Sequence, residues 1–197
     1  VNTLRDARHW VFDMDGTLTL AVHDFPAIKR ALGIPQEDDI LHHLAALPAD
    51  EAAVKHAWLL EHERELAVAS RPAPGAIELV RALSERGCQL GILTRNAHSL
   101  ALLTLQAIGL DGCFATADIL GRDEAPPKPH PGGLLHLAER WAVKPQELVM
   151  VGDYRFDLEC AQAAGARGVL VNLPDNPWPE LTELHALDCA QLLAALR

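Results

Sequence analysis

The chain has 197 residues, 49% of them hydrophobic, with a formal net charge of −10 and a pI near 5.4. That length holds one core of ordinary domain size plus a modest insertion, and excludes two large domains. With no Lys or Arg stripe along the chain, the acidic balance argues against a phosphate-backbone partner such as nucleic acid.

The first segment, Val1 to Asp6, leads straight into an apolar stretch without the basic and apolar pattern of a leader. No apolar run reaches about 18 residues, so no membrane span is expected. Cys88, Cys113, Cys160 and Cys189 lie far apart without a C-x-x-C pair, and are read as free buried thiols of a soluble protein in a reducing cytoplasm.

The first predicted strand covers 10–14 and runs into Asp15-Gly16-Thr17. Asp13 ends that strand, and the turn at Gly16 lets the chain leave without covering its carboxylate. Asp13 and Asp15 are like charges so close together that they are costly unless a cation sits between them. Helices are then expected over 26–32, closing at Gly33, over 36–47 after Pro35, and over 50–69. The block ends at Arg71-Pro72-Ala73-Pro74-Gly75, a plausible hinge. Residues 20–72 are therefore a candidate all-helical lid, with 1–19 and 73–197 forming the core.

From Ala76 helical and strand-like pieces alternate: a helix over 76–86, a strand over 89–93, a helix over 99–108 stopped by Gly109, and a short strand near Phe114. A helix over 131–141, a strand over 148–151, a helix from Asp153 to about Gly165 and a last strand over 168–171 follow. Alternation of this kind predicts an α/β fold with a parallel sheet covered by helices on both faces. The proline-rich tail over 173–179 reads as a rigid loop pinned by Trp178.

In such sheets ligands gather beyond the carboxyl ends of the strands, which brings together loops starting at Asp13, Thr94, about Thr116, and Gly152-Asp153. Thr94-Arg95-Asn96 before a helix start either holds phosphate oxygens or caps the helix. Lys128, among Pro126, Pro127, Pro129 and Pro131, is either a solvated charge or a rigidly aimed one. Asp153 and Asp157, four residues apart at a strand-to-helix junction, either cap that helix or face the pocket. Four carboxylates with a lysine and a threonine in one crevice point to a magnesium and phosphate site, because hard oxygen ligands suit Mg²⁺.

The segments Asp13-Met14-Asp15-Gly16-Thr17-Leu18-Thr19, Ile92-Leu93-Thr94-Arg95-Asn96, Lys128-Pro129-His130-Pro131 and Gly152-Asp153-Tyr154-Arg155-Phe156-Asp157 resemble, in order and spacing, the four motifs of the haloacid dehalogenase-like hydrolase superfamily. The resemblance implies a Rossmann-like core and a helical cap of the phosphoglycolate-phosphatase type inserted after the first motif. Two departures stand out: a cap of only about fifty residues, and Tyr154 where many members carry a small serine.

Carried onto this chain, the resemblance implies a Mg²⁺-dependent phosphatase acting on a small phosphorylated metabolite, phosphoglycolate or a sugar phosphate. Asp13 would be the nucleophile that forms an aspartyl-phosphate, and Asp15 the acid and base. Asp13, the Asp15 backbone carbonyl and Asp153 would hold the metal, and Asp157 would orient metal-bound water or Lys128. Thr94, Arg95, Asn96 and Lys128 would bind the phosphoryl group. Asp15 argues against dehalogenation, because a halide leaving group needs no proton. A phosphomutase and a non-catalytic magnesium- and phosphate-binding module remain open, as do a monomer and a homodimer. Lid candidates for specificity are His23, Lys29, Arg30, His42, His43, Lys55 and His56, with Trp58, Leu59 and Leu60 read as packing.

Overall fold

A strand buried on both faces needs side chains that are apolar in both directions, and β1 (His9–Phe12) meets that condition, with Trp10, Val11 and Phe12 all fully buried. In the computed structural model, which describes residues 3–197, β1 is the centre of a parallel sheet. Val1 and Asn2, part of the N-terminal stretch considered above, lie outside the described residues. Parallel partners of β1 are β2 (Gln89–Leu93) on one side and β4 (Leu148–Gly152) on the other. With β3 (Ile119–Leu120), β5 (Arg167–Leu170) and β6 (Leu184–His185), the strand order is β3-β2-β1-β4-β5-β6. The fold is thus α/β and Rossmann-like.

Successive residues of β1 enter opposite layers, as the two-residue period of a strand requires. Trp10 and Phe12 join one cluster with Leu79 and Leu83 of α4 (Ala76–Glu85), Leu105 of α5 (His98–Ile108) and Leu192 of α8 (Cys189–Ala195). Val11 joins the other, with Leu134 and Leu137 of α6 (Gly132–Arg140) and Cys160 of α7 (Arg155–Ala164).

Between β1 and β2 the chain makes α1 (Phe25–Leu32), α2 (Ile40–Ala45) and α3 (Ala49–Val68). Asp24 caps α1 by accepting from the Ala27 amide at 3.0 Å, and Gly33 ends it in the left-handed conformation. These helices share a small apolar cluster of Ile28, Leu32, Ile34, Leu44 and Leu59, and α3 packs along α5. The chain enters and leaves this block side by side: Leu20 donates to the Arg71 carbonyl at 3.0 Å, and Ala73 to the Leu18 carbonyl at 2.9 Å.

Several expectations need correction. The helix expected over 36–47 is only α2, because the Asp39 carboxylate caps its start by accepting from the His42 amide at 3.0 Å. The strand expected near Phe114 is β3, five residues later. Phe114 instead lies between two short 3-10 turns, its ring edge-on to Phe12 with centroids 6.4 Å apart. The third loop accordingly starts after Leu120 rather than about Thr116. Beyond residue 171 the chain adds β6 and α8, which the sequence reading did not contain. Of the four free thiols, only Cys160 and Cys189 are buried, while Cys88 and Cys113 are half-buried. No helix among the described residues is long and apolar enough to cross a membrane.

Gly75, at the start of α4, has φ of 76°, and a Cβ there would collide with the backbone of Ala190 in α8. Gly75→Ala is expected to destabilise the protein by about 2 kcal/mol or more, from left-handed strain and overpacking together. Urea unfolding checks this; an unchanged midpoint would mean that α8 yields at no cost.

Candidate active site

The strand order reverses between β1 and β4, and the crevice beyond their carboxyl ends is where an open parallel sheet binds ligands. Asp13 directly follows β1, and its amide still donates to the Val151 carbonyl at 3.0 Å, so the sheet ladder fixes its backbone. Asp153 directly follows β4, and Asp157 lies in the first turn of α7. The turn after Asp13 is tight: the Met14 carbonyl accepts from the amides of Thr17, Leu18 and Thr19. Gly16 takes a φ of 81° there, and a Cβ would run into the Asp153 carboxylate, so glycine is what allows the two loops to approach. Asn172, just beyond β5, ties the same turn down by donating to the carbonyls of Gly16 at 2.8 Å and Thr17 at 2.9 Å.

Lys128 joins the two carboxylate loops. It is buried, and its Nζ donates to Asp13 Oδ1 at 2.8 Å and to Asp157 Oδ1 at 2.7 Å. Burial alone weakens an ammonium's hold on its proton, but Asp13 and Asp157 outweigh it and keep Lys128 charged, well above its ordinary pKa. The Tyr154 amide donates to the other Asp157 oxygen at 3.2 Å.

One lysine does not neutralise three carboxylates. Burial, followed by the charge of Asp13, pushes Asp153 up to about 8, although the Thr17 hydroxyl donates to it at 2.9 Å. Burial and Asp13 also push Asp157 up to about 6, against the pull of Lys128. Asp13, Asp153 and Asp157 each offer an oxygen within 4.8 Å of the others. Crowded, under-neutralised hard oxygen donors fit a small divalent cation such as Mg²⁺.

Asp15 faces the other way. Its Oδ2 lies 2.7 Å from His23 Nδ1, and that hydrogen bond raises the imidazole's pKa against the opposing effect of burial. Thr94, directly after β2, is buried, and its Oγ accepts from the Asn96 amide at 3.1 Å, leaving its own proton to donate. Arg95 is exposed, its guanidinium 5.6 Å from the Phe156 ring centre.

A cavity of about 570 Å³ brings together every residue expected to form the site: Asp13, Asp15, Thr94, Arg95, Asn96, Lys128, Asp153 and Asp157. Of the lid candidates, His23 lines this cavity, and Lys29 lines a neighbouring one of about 370 Å³. Arg30, His42, His43, Lys55 and His56 line neither. The sequence reading missed Thr17 as the donor to Asp153, Asn172 as the tether of the Gly16 turn, and Glu63 and Arg122 as cavity residues. Thr17 stood within the first motif and Asn172 directly after the strand expected over 168–171, whereas Glu63 and Arg122 carried no local signal.

The profile of the haloacid dehalogenase-like hydrolase family matches residues 8–165. A haloacid dehalogenase-like hydrolase domain-containing protein of Arabidopsis thaliana is 35% identical over 79% of this chain and 67% of its own length. A phosphoglycolate phosphatase of Escherichia coli O157:H7 is 30% identical over 79% of this chain and 60% of its own length. Among solved structures, a predicted phosphoglycolate phosphatase from Haemophilus somnus superposes with a TM-score of 0.77, at 21% identity, over the whole of both chains. A Rossmann-like α/β protein with an acidic crevice at its strand reversal is the class that fold and site define. The chain belongs to the haloacid dehalogenase-like hydrolase family.

A carboxyl whose pKa is higher folded than unfolded favours folding at low pH and loses that contribution as pH rises towards the folded value. Through Asp153, metal-free protein should therefore lose stability between about pH 4 and pH 8. Asp153→Asn should raise the metal-free melting temperature at pH 8, by about 2–4 °C per kcal/mol recovered. Mg²⁺ should stabilise the natural protein more than the variant. Thermal melts with and without Mg²⁺ check this, and a lower metal-free midpoint for Asp153→Asn would contradict it.

Proposed function

We propose that the protein is a Mg²⁺-dependent phosphatase that hydrolyses a small phosphomonoester through a phosphorylated aspartate. The carrying observation is the Asp13 carboxylate, fixed by the β1–β4 ladder and by Lys128 at 2.8 Å, opening onto a cavity it shares with Asp15 and Thr94. The family and the phosphatase relative support the same reading.

In this reading an Asp13 oxygen attacks phosphorus, and the bond from phosphorus to the leaving alcohol oxygen breaks. Asp15 gives its proton to that oxygen, so the alcohol departs neutral. Asp15 then takes a proton from water, whose oxygen attacks the phosphorus, releasing inorganic phosphate and restoring Asp13. His23 holds the Asp15 carboxylate at 2.7 Å, while Lys128 holds Asp13. Lys128, the Thr94 hydroxyl, the Arg95 amide and the Asn96 side chain bind the phosphoryl oxygens, where fixed positive charge and aimed donors favour the transition state. Mg²⁺, held by Asp13, Asp153 and the Asp15 backbone carbonyl, would offset the repulsion between anionic nucleophile and anionic phosphate. Asp157 acts through Lys128, which it holds at 2.7 Å.

Residues 20–72 form the cap in this proposal, with 1–19 and 73–197 the core. The cap covers the alcohol end of the substrate and excludes water while the acyl phosphate exists.

The test is inorganic phosphate release from small phosphoesters, with and without Mg²⁺. Asp13→Asn should abolish release, and substantial residual turnover would rule out its nucleophilic role. Asp15→Asn should slow alkyl phosphates by about 10²–10⁴-fold but phenyl phosphates much less, because phenolate leaves with less need of a proton. Equal losses on both would remove Asp15 as the acid. Interconversion of sugar phosphates without phosphate release would identify a mutase instead.

A further inference from the structure

Glu63, in the last two turns of α3, lines both the 570 Å³ crevice that holds Asp13 and the 370 Å³ cavity between α1, α2, α3 and the core loops. The shared wall also includes Phe25, Arg95 and Asn96, so the two spaces adjoin beside the phosphate site. Both volumes lie in the range of small-molecule pockets, and the crevice alone has more room than a two-carbon acid attached to phosphate requires.

Glu63 is the unusual residue in this wall. Its Oε2 is buried and, among the described residues, accepts no hydrogen bond. Burial pushes its pKa up, opposed by the more distant charges of Arg122, His23 and His62, none of which forms an ion pair with it among the described residues. A buried acceptor without a donor is expensive, and the cost is relieved when a ligand brings the donor. The walls it shares are partly apolar, with Phe25 stacked on His23 at 5.5 Å between centroids and Ile28 and Leu59 lining the inner cavity, and partly charged, with Lys29, Asp39, Arg95 and Arg122 lining that same cavity. At Glu63 Oε2 itself the space offers a buried acceptor that lacks a donor, which a hydroxyl on the carbon skeleton of a substrate would supply. A group without a proton to give leaves that acceptor unpaired.

Resting on the phosphatase reading above, we infer that Glu63 determines specificity by accepting a hydrogen bond from a hydroxyl of the leaving alcohol. The preferred substrates are then hydroxylated phosphomonoesters, of the sugar or polyol phosphate class, rather than esters such as phosphoglycolate whose leaving group carries no further hydroxyl.

Steady-state phosphate release by the natural protein, Glu63→Gln and Glu63→Ala would be compared on ribose 5-phosphate, glycerol 3-phosphate, phosphoglycolate and phenyl phosphate, all with Mg²⁺. The natural protein should favour the two hydroxylated esters over phosphoglycolate. In Glu63→Ala kcat/KM on those esters should fall about tenfold further than on phenyl phosphate, mainly through KM, because a hydrogen bond to a charged group in uniform binding is lost, and in Glu63→Gln, whose amide oxygen still accepts, by less. The phenyl phosphate rate also reports whether each variant is folded. A loss of equal size on all four esters, or no loss on the hydroxylated ones, overturns the role of Glu63 while leaving the phosphatase reading in place. Absence of phosphate release from every ester by the natural protein overturns both.

Discussion

The site depends on placing one buried ammonium between two carboxylates that the sheet would otherwise force together. Asp13 follows β1 and Asp157 lies just past the end of the neighbouring β4, so parallel pairing alone brings two negative charges to the same edge. Lys128 reaches both within 2.8 Å from a loop that starts on the far side of β2. Its burial is tolerable only because both partners are present, since stripping one side of a buried ion pair leaves an uncompensated charge. The prolines around it, at 126, 127, 129 and 131, fix φ along the loop and limit where the ammonium can go. That cation leaves Asp153 without a counter-charge, which is what makes the remaining space attractive to a divalent ion.

Legibility in the sequence followed how much of each feature is local. β1, β2 and β4 are continuous apolar runs, because a central parallel strand is buried on both faces, and they end in polar residues whose position beyond the strand is then fixed. That is why Asp13, Thr94 and Asp153 could be placed before any contact was known. β3 and β6 are two residues each, too short for any period, and their identity depends on what they pair with. Phe114 has the composition of a strand residue but spends its apolar surface against Phe12 instead. In the sequence α2 extends too far because Pro35 marks an earlier start and Ala46 and Leu47 continue the apolar run past its end, whereas the Asp39 carboxylate sets where it starts.

The unseen site residues share a different property. Asn172 contacts a turn more than 150 residues earlier in the chain, and Glu63 reaches the crevice only because α3 lies along α5. Asn172 follows a strand, yet nothing local tells which turn it holds, and Glu63 sits neither at a strand end nor in a spacing that any period marks. Sequence therefore shows the half of the crevice built on strand ends, where the proposed mechanism places the phosphoryl group, and hides the half built on helix packing. His23 lies between these cases: it is close to Asp15 in sequence, but only the fold of the connecting loop turns it back to 2.7 Å.

That loop also links the two halves mechanically. The turn after Asp13 passes through Asp15 to Thr19, which bridges to both Asp15 and Pro72, and Leu20 and Ala73 complete a short antiparallel crossing. The helical block of α1 to α3 is joined covalently to the core only through these two adjacent segments. A displacement of that block is transmitted through residues 19–23, the same residues that carry His23 to Asp15. Asp13, held by the β ladder and Lys128, lies on the rigid side of the crossing, whereas Asp15 lies at its edge. Under the proposed mechanism the nucleophile would then sit on the side fixed by the sheet and the proton donor on the side joined to the helical block, so that closure over a substrate would act on proton transfer to the leaving oxygen rather than on the geometry of attack.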